Sequence, residues 1–244
     1  MLSPDIAPKN ILLTGASRGI GLAIARYLLR AGNRVLCVAR TREPLDGLRR
    51  EFPRNAEIFI GDLNDFEVGP RAVAKAVEVF GSLHGLIINH GSVSPIKRLA
   101  DSDPQEWRAA FDVNFFSAVA LIQPALSVLR QTRGRIIITS SGAAIKAYST
   151  WGAYGSAKAA LNHLVQTLAI EEPLITSIAV RPGVVDTEMQ AEVRGHGAIM
   201  DHGDAERFRM MHLEGRLLRP EQPGDVMARL VLGAGREFSG KFMR

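Results

Sequence analysis

Apolar residues in this chain follow two spacings that alternate from one end to the other. Short, nearly continuous apolar runs at 10–14, 34–39, 56–60, 86–89, 135–140, 177–181 and 240–243 read as strands buried on both faces. Longer stretches at 19–31, 68–80, 105–129, 153–171 and 223–232 carry the helical spacing. In the first of these, Ile20, Ala23, Ile24, Tyr27 and Leu28 share one face, and Gly32 follows as a stop that tolerates positive φ. Strand and helix in alternation predict an α/β fold: one doubly wound parallel sheet of about seven strands with helices on both faces. No linker, repeat or low-complexity tract interrupts the pattern, so 1–244 is expected to form a single domain. The segment 187–219 stands apart, with only patchy periodicity in Met189, Val193, Met200, Phe208, Met210, Met211 and Leu213. It follows the sixth strand, where an open α/β sheet binds ligands beyond its carboxyl ends, and is expected to act as a mobile substrate lid.

The first strand runs into Thr14-Gly15-Ala16-Ser17-Arg18-Gly19-Ile20-Gly21, which opens directly into a helix. Glycines there permit a tight turn and close backbone approach of a pyrophosphate, while the helix N-terminus offers free amide donors. At the end of the second strand an acidic residue would favour NAD by binding its ribose hydroxyls. This chain has Ala39, Arg40 and Thr41 instead, with Arg18 in the turn; guanidinium groups suit a 2′-phosphate, so the expected cofactor is NADP(H).

Tyr154 and Lys158 lie four apart in a helical stretch and therefore on one face. A nearby ammonium stabilises a phenolate, so Lys158 is expected to lower the Tyr154 pKa and suit the pair to general acid–base work. The fifth strand ends in Ser140 and Ser141, and a short loop can return Ser141 to the phenol. Ser140 competes for that role, although strand alternation points the two hydroxyls differently.

These motifs together resemble the short-chain dehydrogenase/reductase family over nearly the whole chain. The likeness rests on the Thr14 to Gly21 turn, Asp62-Leu63, Asn89-His90-Gly91, Asn114, Ser141, Tyr154 with Lys158, and Pro182-Gly183 followed by Thr187. The resemblance implies a Rossmann-type fold and a cofactor site drawn from Gly15, Ser17, Arg18, Gly19, Ile20, Gly21, Arg40, Thr41, Asp62, Leu63, Asn89, His90, Gly91, Tyr154, Lys158, Pro182, Gly183, Val185 and Thr187. It implies Tyr154 as proton donor, Ser141 as a hydrogen bond to the carbonyl oxygen, Lys158 as ribose ligand, and Asn114 as holder of a water that resupplies protons. The small-molecule substrate is then a ketone, aldehyde or diketone. The stretches 149–154 and 185–190 resemble the subgroup of benzil reductases and sepiapterin reductase-like enzymes. Two positions depart from the family pattern: His90 stands where alanine is usual, and Ser117 where glycine is frequent. Alternatives are an oxidative alcohol or hydroxysteroid dehydrogenase using NADP, and a non-catalytic NADPH sensor or scaffold.

Composition narrows the rest. Of 244 residues, 46% are apolar, enough for a large core, and 30 Lys and Arg stand against 25 Asp and Glu in scattered positions. With 6% aromatics and no basic stripe, nucleic-acid binding is not expected. Cys37, the sole cysteine, sits in a strand and reads as a core residue. The first nine residues lack a secretion signal's pattern and no apolar run is read as a membrane span, so no membrane association and a cytoplasmic location are expected. His196, Asp201, His202, Asp204 and His212 match no compact ligand spacing, and no metal is expected. Apolar Phe115, Phe116, Leu161 and Leu164 exceed what one sheet face requires, and the family resemblance implies a homodimer or homotetramer.

Overall fold

The computed structural model describes residues 7–244; most of the stretch read for a secretion signal lies outside them. Seven parallel strands, β1 (Asn10–Thr14), β2 (Arg34–Ala39), β3 (Ala56–Ile60), β4 (Gly85–Ile88), β5 (Arg135–Thr139), β6 (Thr176–Val180) and β7 (Phe242–Met243), form one sheet in the order β3-β2-β1-β4-β5-β6-β7. The doubly wound α/β architecture expected from the apolar pattern, and the Rossmann-type fold that the resemblance implies, are therefore present. The order reverses between β1 and β4, which opens a crevice at their carboxyl ends.

Strand alternation divides the core into two layers. Leu12, Leu36, Leu86 and Ile136 face α3 (Val68–Phe80), α5 (Ser117–Thr132) and α6 (Gly152–Glu171). Ile11, Cys37, Ile87 and Ile137 face α1 (Gly19–Arg30), α2 (Arg42–Glu51) and α9 (Glu221–Gly233). Each fully buried Leu or Ile contributes roughly 1.5–3 kcal/mol, so both faces must be apolar, which is why the strands read as continuous runs. Burial pushes the Cys37 thiol up to about 12, leaving it inert.

The differences from expectation lie at boundaries and in weakly patterned segments. Helix α2 is not among the expected helices because it is mostly polar and buries only Leu45 and Leu48. The helix expected at 105–129 is a rod of three parts: α4 (Pro104–Phe111), a π-helical turn (Asp112–Phe116) and α5. Asp103 starts it, accepting from the Gln105 amide while Glu106 caps in return. By length and composition this 29-residue rod could cross a membrane, contrary to the expectation that no run qualifies. In the fold one face of it, with Ala118, Leu121, Ile122 and Ala125, packs into the core, while Phe116 and Val119 are exposed. Segment 187–219 forms two helices, α7 (Glu188–Gly195) and α8 (His202–Leu213), with Thr187 and Asp201 as their side-chain caps.

Candidate active site

A cleft of about 1230 Å³ runs across the carboxyl ends of β1, β4, β5 and β6. Its phosphate end is made by backbone. Gly15 has φ +66°, and a Cβ there would lie 3.0 Å from the His90 nitrogen. On Gly21 a Cβ would collide with the Gly15 carbonyl oxygen, so only glycine lets α1 press this close to β1. Arg18, the residue before α1, makes no capping bond, so the first amides of the helix face the cleft without a side-chain acceptor. Asn89 braces the three strand ends: its amide nitrogen donates to the Gly15 carbonyl at 3.4 Å, and its carbonyl oxygen accepts from Thr139 Oγ1 at 3.0 Å.

Beside β2, no acidic residue occupies the strand end. Arg40 is exposed and stands 3.9 Å from Asp62, and Arg18 pairs with Glu188 at the start of α7. Thr41 caps α2 without a side-chain bond and does not line the cleft.

The chemical end is made by buried side chains. Tyr154 and Lys158 occupy successive turns of α6, with the Lys158 ammonium donating to the Thr139 carbonyl at 2.8 Å and 5.7 Å from the Tyr154 ring centre. Burial brings Lys158 down to about 8. For Tyr154 the structure reverses the expectation: burial pushes the phenol above its ordinary value, and the lowering influence is the Ser141 hydroxyl, not the lysine. The two serines are separated by geometry. Ser140 is buried and donates to Asn162 Oδ1 at 2.7 Å, whereas Ser141 caps a short turn at Gly142–Ala144 beside the phenol.

Asn114 lies on the π-helical turn and not on the cleft wall. Its amide donates to the Ser92 and Ala110 carbonyls, each at 2.9 Å, and its oxygen accepts from the Ser92 amide at 3.1 Å. The side chain is thus committed to holding the Gly91–Ser92 wall. His90 donates or accepts at both ring nitrogens, to Thr14 Oγ1 and to Ser117 Oγ, each at 2.8 Å. The two departures from the family pattern are therefore bonded to each other.

Tyr148, Trp151 and Phe208 form an aromatic wall over the chemical end, with Trp151 and Phe208 stacked at 5.5 Å and Trp151 edge-on to Tyr154 at 6.1 Å. Helix α8 docks on this wall: Arg207 donates to the Tyr148 hydroxyl at 3.1 Å and Lys146 pairs with Asp204.

Of the candidate catalytic and cofactor residues named from the sequence, all but Gly21, Thr41 and Asn114 line the cleft. Asn162 and Arg181 were missed. Asn162 continues the Tyr154 and Lys158 stripe by one more step of four, a legible signal. Arg181 follows β6 immediately before Pro182 and packs its guanidinium over Gly142. Among the described residues no group of three or more His, Cys, Asp or Glu could hold a metal.

The chain matches the model of the short chain dehydrogenase family over residues 9–197. It is 40% identical over 242 residues to an uncharacterised oxidoreductase of Schizosaccharomyces pombe, covering 98% of this chain and 97% of that one. It is 36% identical over 251 residues to a benzil reductase ((S)-benzoin forming) of Saccharomyces cerevisiae, covering 97% and 95%. The crystal structure of the KRED1-Pglu enzyme superposes with a TM-score of 0.93 at 37% identity, covering 96% of this chain and 99% of that one. Fold, glycine turn and sequence likeness agree: the chain belongs to the short chain dehydrogenase family of oxidoreductases, which bind a nicotinamide cofactor.

Proposed function

We propose that the protein is an NADPH-dependent carbonyl reductase that converts a ketone, aldehyde or diketone to the alcohol. The observation that carries this reading is the convergence of Tyr154, Lys158 and Ser141 on the same cleft as the glycine turn. When bound, the cofactor supplies the hydride. Tyr154 gives its proton to the carbonyl oxygen as negative charge develops there, and the raised phenol pKa keeps that proton in place at neutral pH. Ser141 would donate a hydrogen bond to the same oxygen, and Lys158 would hold the cofactor's ribose. Donors fixed in advance supply most of the stabilisation of the growing oxyanion.

Preference for NADPH rests on Arg18 and Arg40 and on the missing acid at the end of β2. Both arginines are paired with exposed carboxylates, but such pairs contribute only about 0–1 kcal/mol and exchange readily for a phosphate, whose charge-assisted bonds are stronger. Asp62 and Leu63 would border the adenine, and Pro182, Gly183, Val185 and Thr187 the nicotinamide.

The aromatic wall favours flat or aryl-bearing carbonyls, in keeping with the benzil reductase relative. Segment 187–219 is read as the substrate lid of a single domain spanning 1–244. Exposed Phe116 and Val119 on the central rod and Ile170 on α6 support a homodimer or homotetramer, while Leu161 belongs to the core instead. A cytoplasmic location is in keeping with a 36% identical solved structure described as a cytoplasmic protein of Saccharomyces cerevisiae. The oxidative dehydrogenase reading uses the same residues in reverse; the sensor reading leaves Tyr154, Ser141 and Lys158 without a purpose.

A panel of diketones, quinones, aldehydes and ketosteroids, assayed with NADPH and then with NADH, tests the proposal. Turnover with NADPH clearly preferred is expected; tight NADPH binding with no carbonyl reduced would contradict it.

A further inference from the structure

His90 and Ser117 sit on different elements, at the end of β4 and the start of α5, yet their side chains meet at 2.8 Å. The surrounding contacts decide where the protons lie. The Asn89 backbone N–H can only donate, and it does so to Thr14 Oγ1 at 3.1 Å. The Val113 carbonyl can only accept, and Ser117 Oγ lies 2.8 Å from it. If Ser117 gives its single proton to Val113, His90 Nε2 must be the donor to Ser117, and Nδ1 must accept from Thr14. The opposite wiring would turn Thr14 toward the Ile87 carbonyl at 3.3 Å and leave two oxygens facing each other at 2.8 Å without a proton between them. Only the first wiring satisfies every short contact. Burial, and after it the Lys158 charge, hold the imidazole down to about 3, so the ring is neutral as this chain of bonds requires.

We propose that His90 is a positioning residue: its neutral Nε2–H form ties the base of the phosphate turn, through Thr14, to the π-helical turn that carries Asn114, through Ser117 and Val113. Asn114 in turn holds Ser92, and Gly91 lies against both Asn114 and Lys158. The bonded series therefore sets the spacing between the two ends of the cofactor cleft, and it replaces the small pair that the family pattern has at these positions. The inference rests on the cofactor reading above but concerns residues that make no chemical step.

Nitrogen-15 labelling of the six histidines gives the first test, with His90 identified by the signal lost in His90→Ala. At neutral pH a proton on Nε2 and none on Nδ1 is expected; a proton on Nδ1, or on both, overturns the wiring. The second test is NADPH affinity, measured by fluorescence titration, in His90→Ala, Ser117→Ala and the double variant. Each single change breaks the His90–Ser117 bond together with one neighbouring bond of the series and is expected to weaken binding by roughly tenfold, with the double variant no weaker than the worse single one. Ser117→Thr, which keeps the hydroxyl, is expected to stay within about threefold of wild type. Effects that multiply in the double variant, or single variants that lower thermal stability while binding NADPH normally, overturn the positioning role. Wild-type protein that fails to bind NADPH contradicts the cofactor reading itself, and the labelling experiment still decides the wiring.

Discussion

At the phosphate end of the cleft the backbone makes the site, through Gly15, Gly21 and the first amides of α1, and the charged side chains there are exposed. At the carbonyl end Tyr154 and Lys158 are buried, with pKa values displaced by that burial. The first end is fixed by shape, so a side chain added to a glycine does harm, whereas loss of an exposed arginine changes affinity and little else. The second end holds a charged group in an apolar setting, a known source of conflict between activity and stability.

The largest effect expected from breaking this contrast is at Gly21. Gly21→Ala places a methyl against the Gly15 carbonyl; NADPH binding is expected to be lost by calorimetry, with destabilisation of about 1–3 kcal/mol or more in urea melts. Next is Lys158→Met. Turnover is expected to fall by at least about a hundredfold while stability rises by about 1–3 kcal/mol at neutral pH. The sign follows from the lowered pKa. The folded protein disfavours the charged lysine, so its removal stabilises most below about 8, and the gain fades as pH rises toward the unfolded value. A denaturation series across pH checks both parts.

The same displacement predicts a pH profile. Reduction by wild type is expected to decline above about 8 as Lys158 loses its charge, while the raised phenol keeps Tyr154 protonated there. Residual activity in Lys158→Met should lack that decline. The smallest effects are expected from Arg18→Ala and Arg40→Ala. Each should raise the KM for NADPH by about tenfold and leave that for NADH unchanged, with stability altered by less than about 0.5 kcal/mol.

The contrast also explains what the sequence could disclose. Strands buried on both faces and a glycine turn between strand and helix carry their patterns locally, and β1, β2 and β3 lie where the apolar runs put them. The Tyr154 and Lys158 stripe is local too. Helices α2, α7 and α8 each bury no more than two residues, so few apolar positions mark them. The π-helical turn at Asn114 was illegible because it depends on Ser92, a partner 22 residues away. Likewise, nothing local announces that burial, rather than Lys158, governs the phenol, or that His90 and Ser117 meet.

Reduction of a vicinal diketone such as benzil by wild type and by Tyr154→Phe, with NADPH affinity measured in both, tests the central claim most directly. The account predicts a loss of turnover of roughly 10²–10⁴-fold in the variant with cofactor binding retained. Turnover that survives the loss of this single hydroxyl would contradict it.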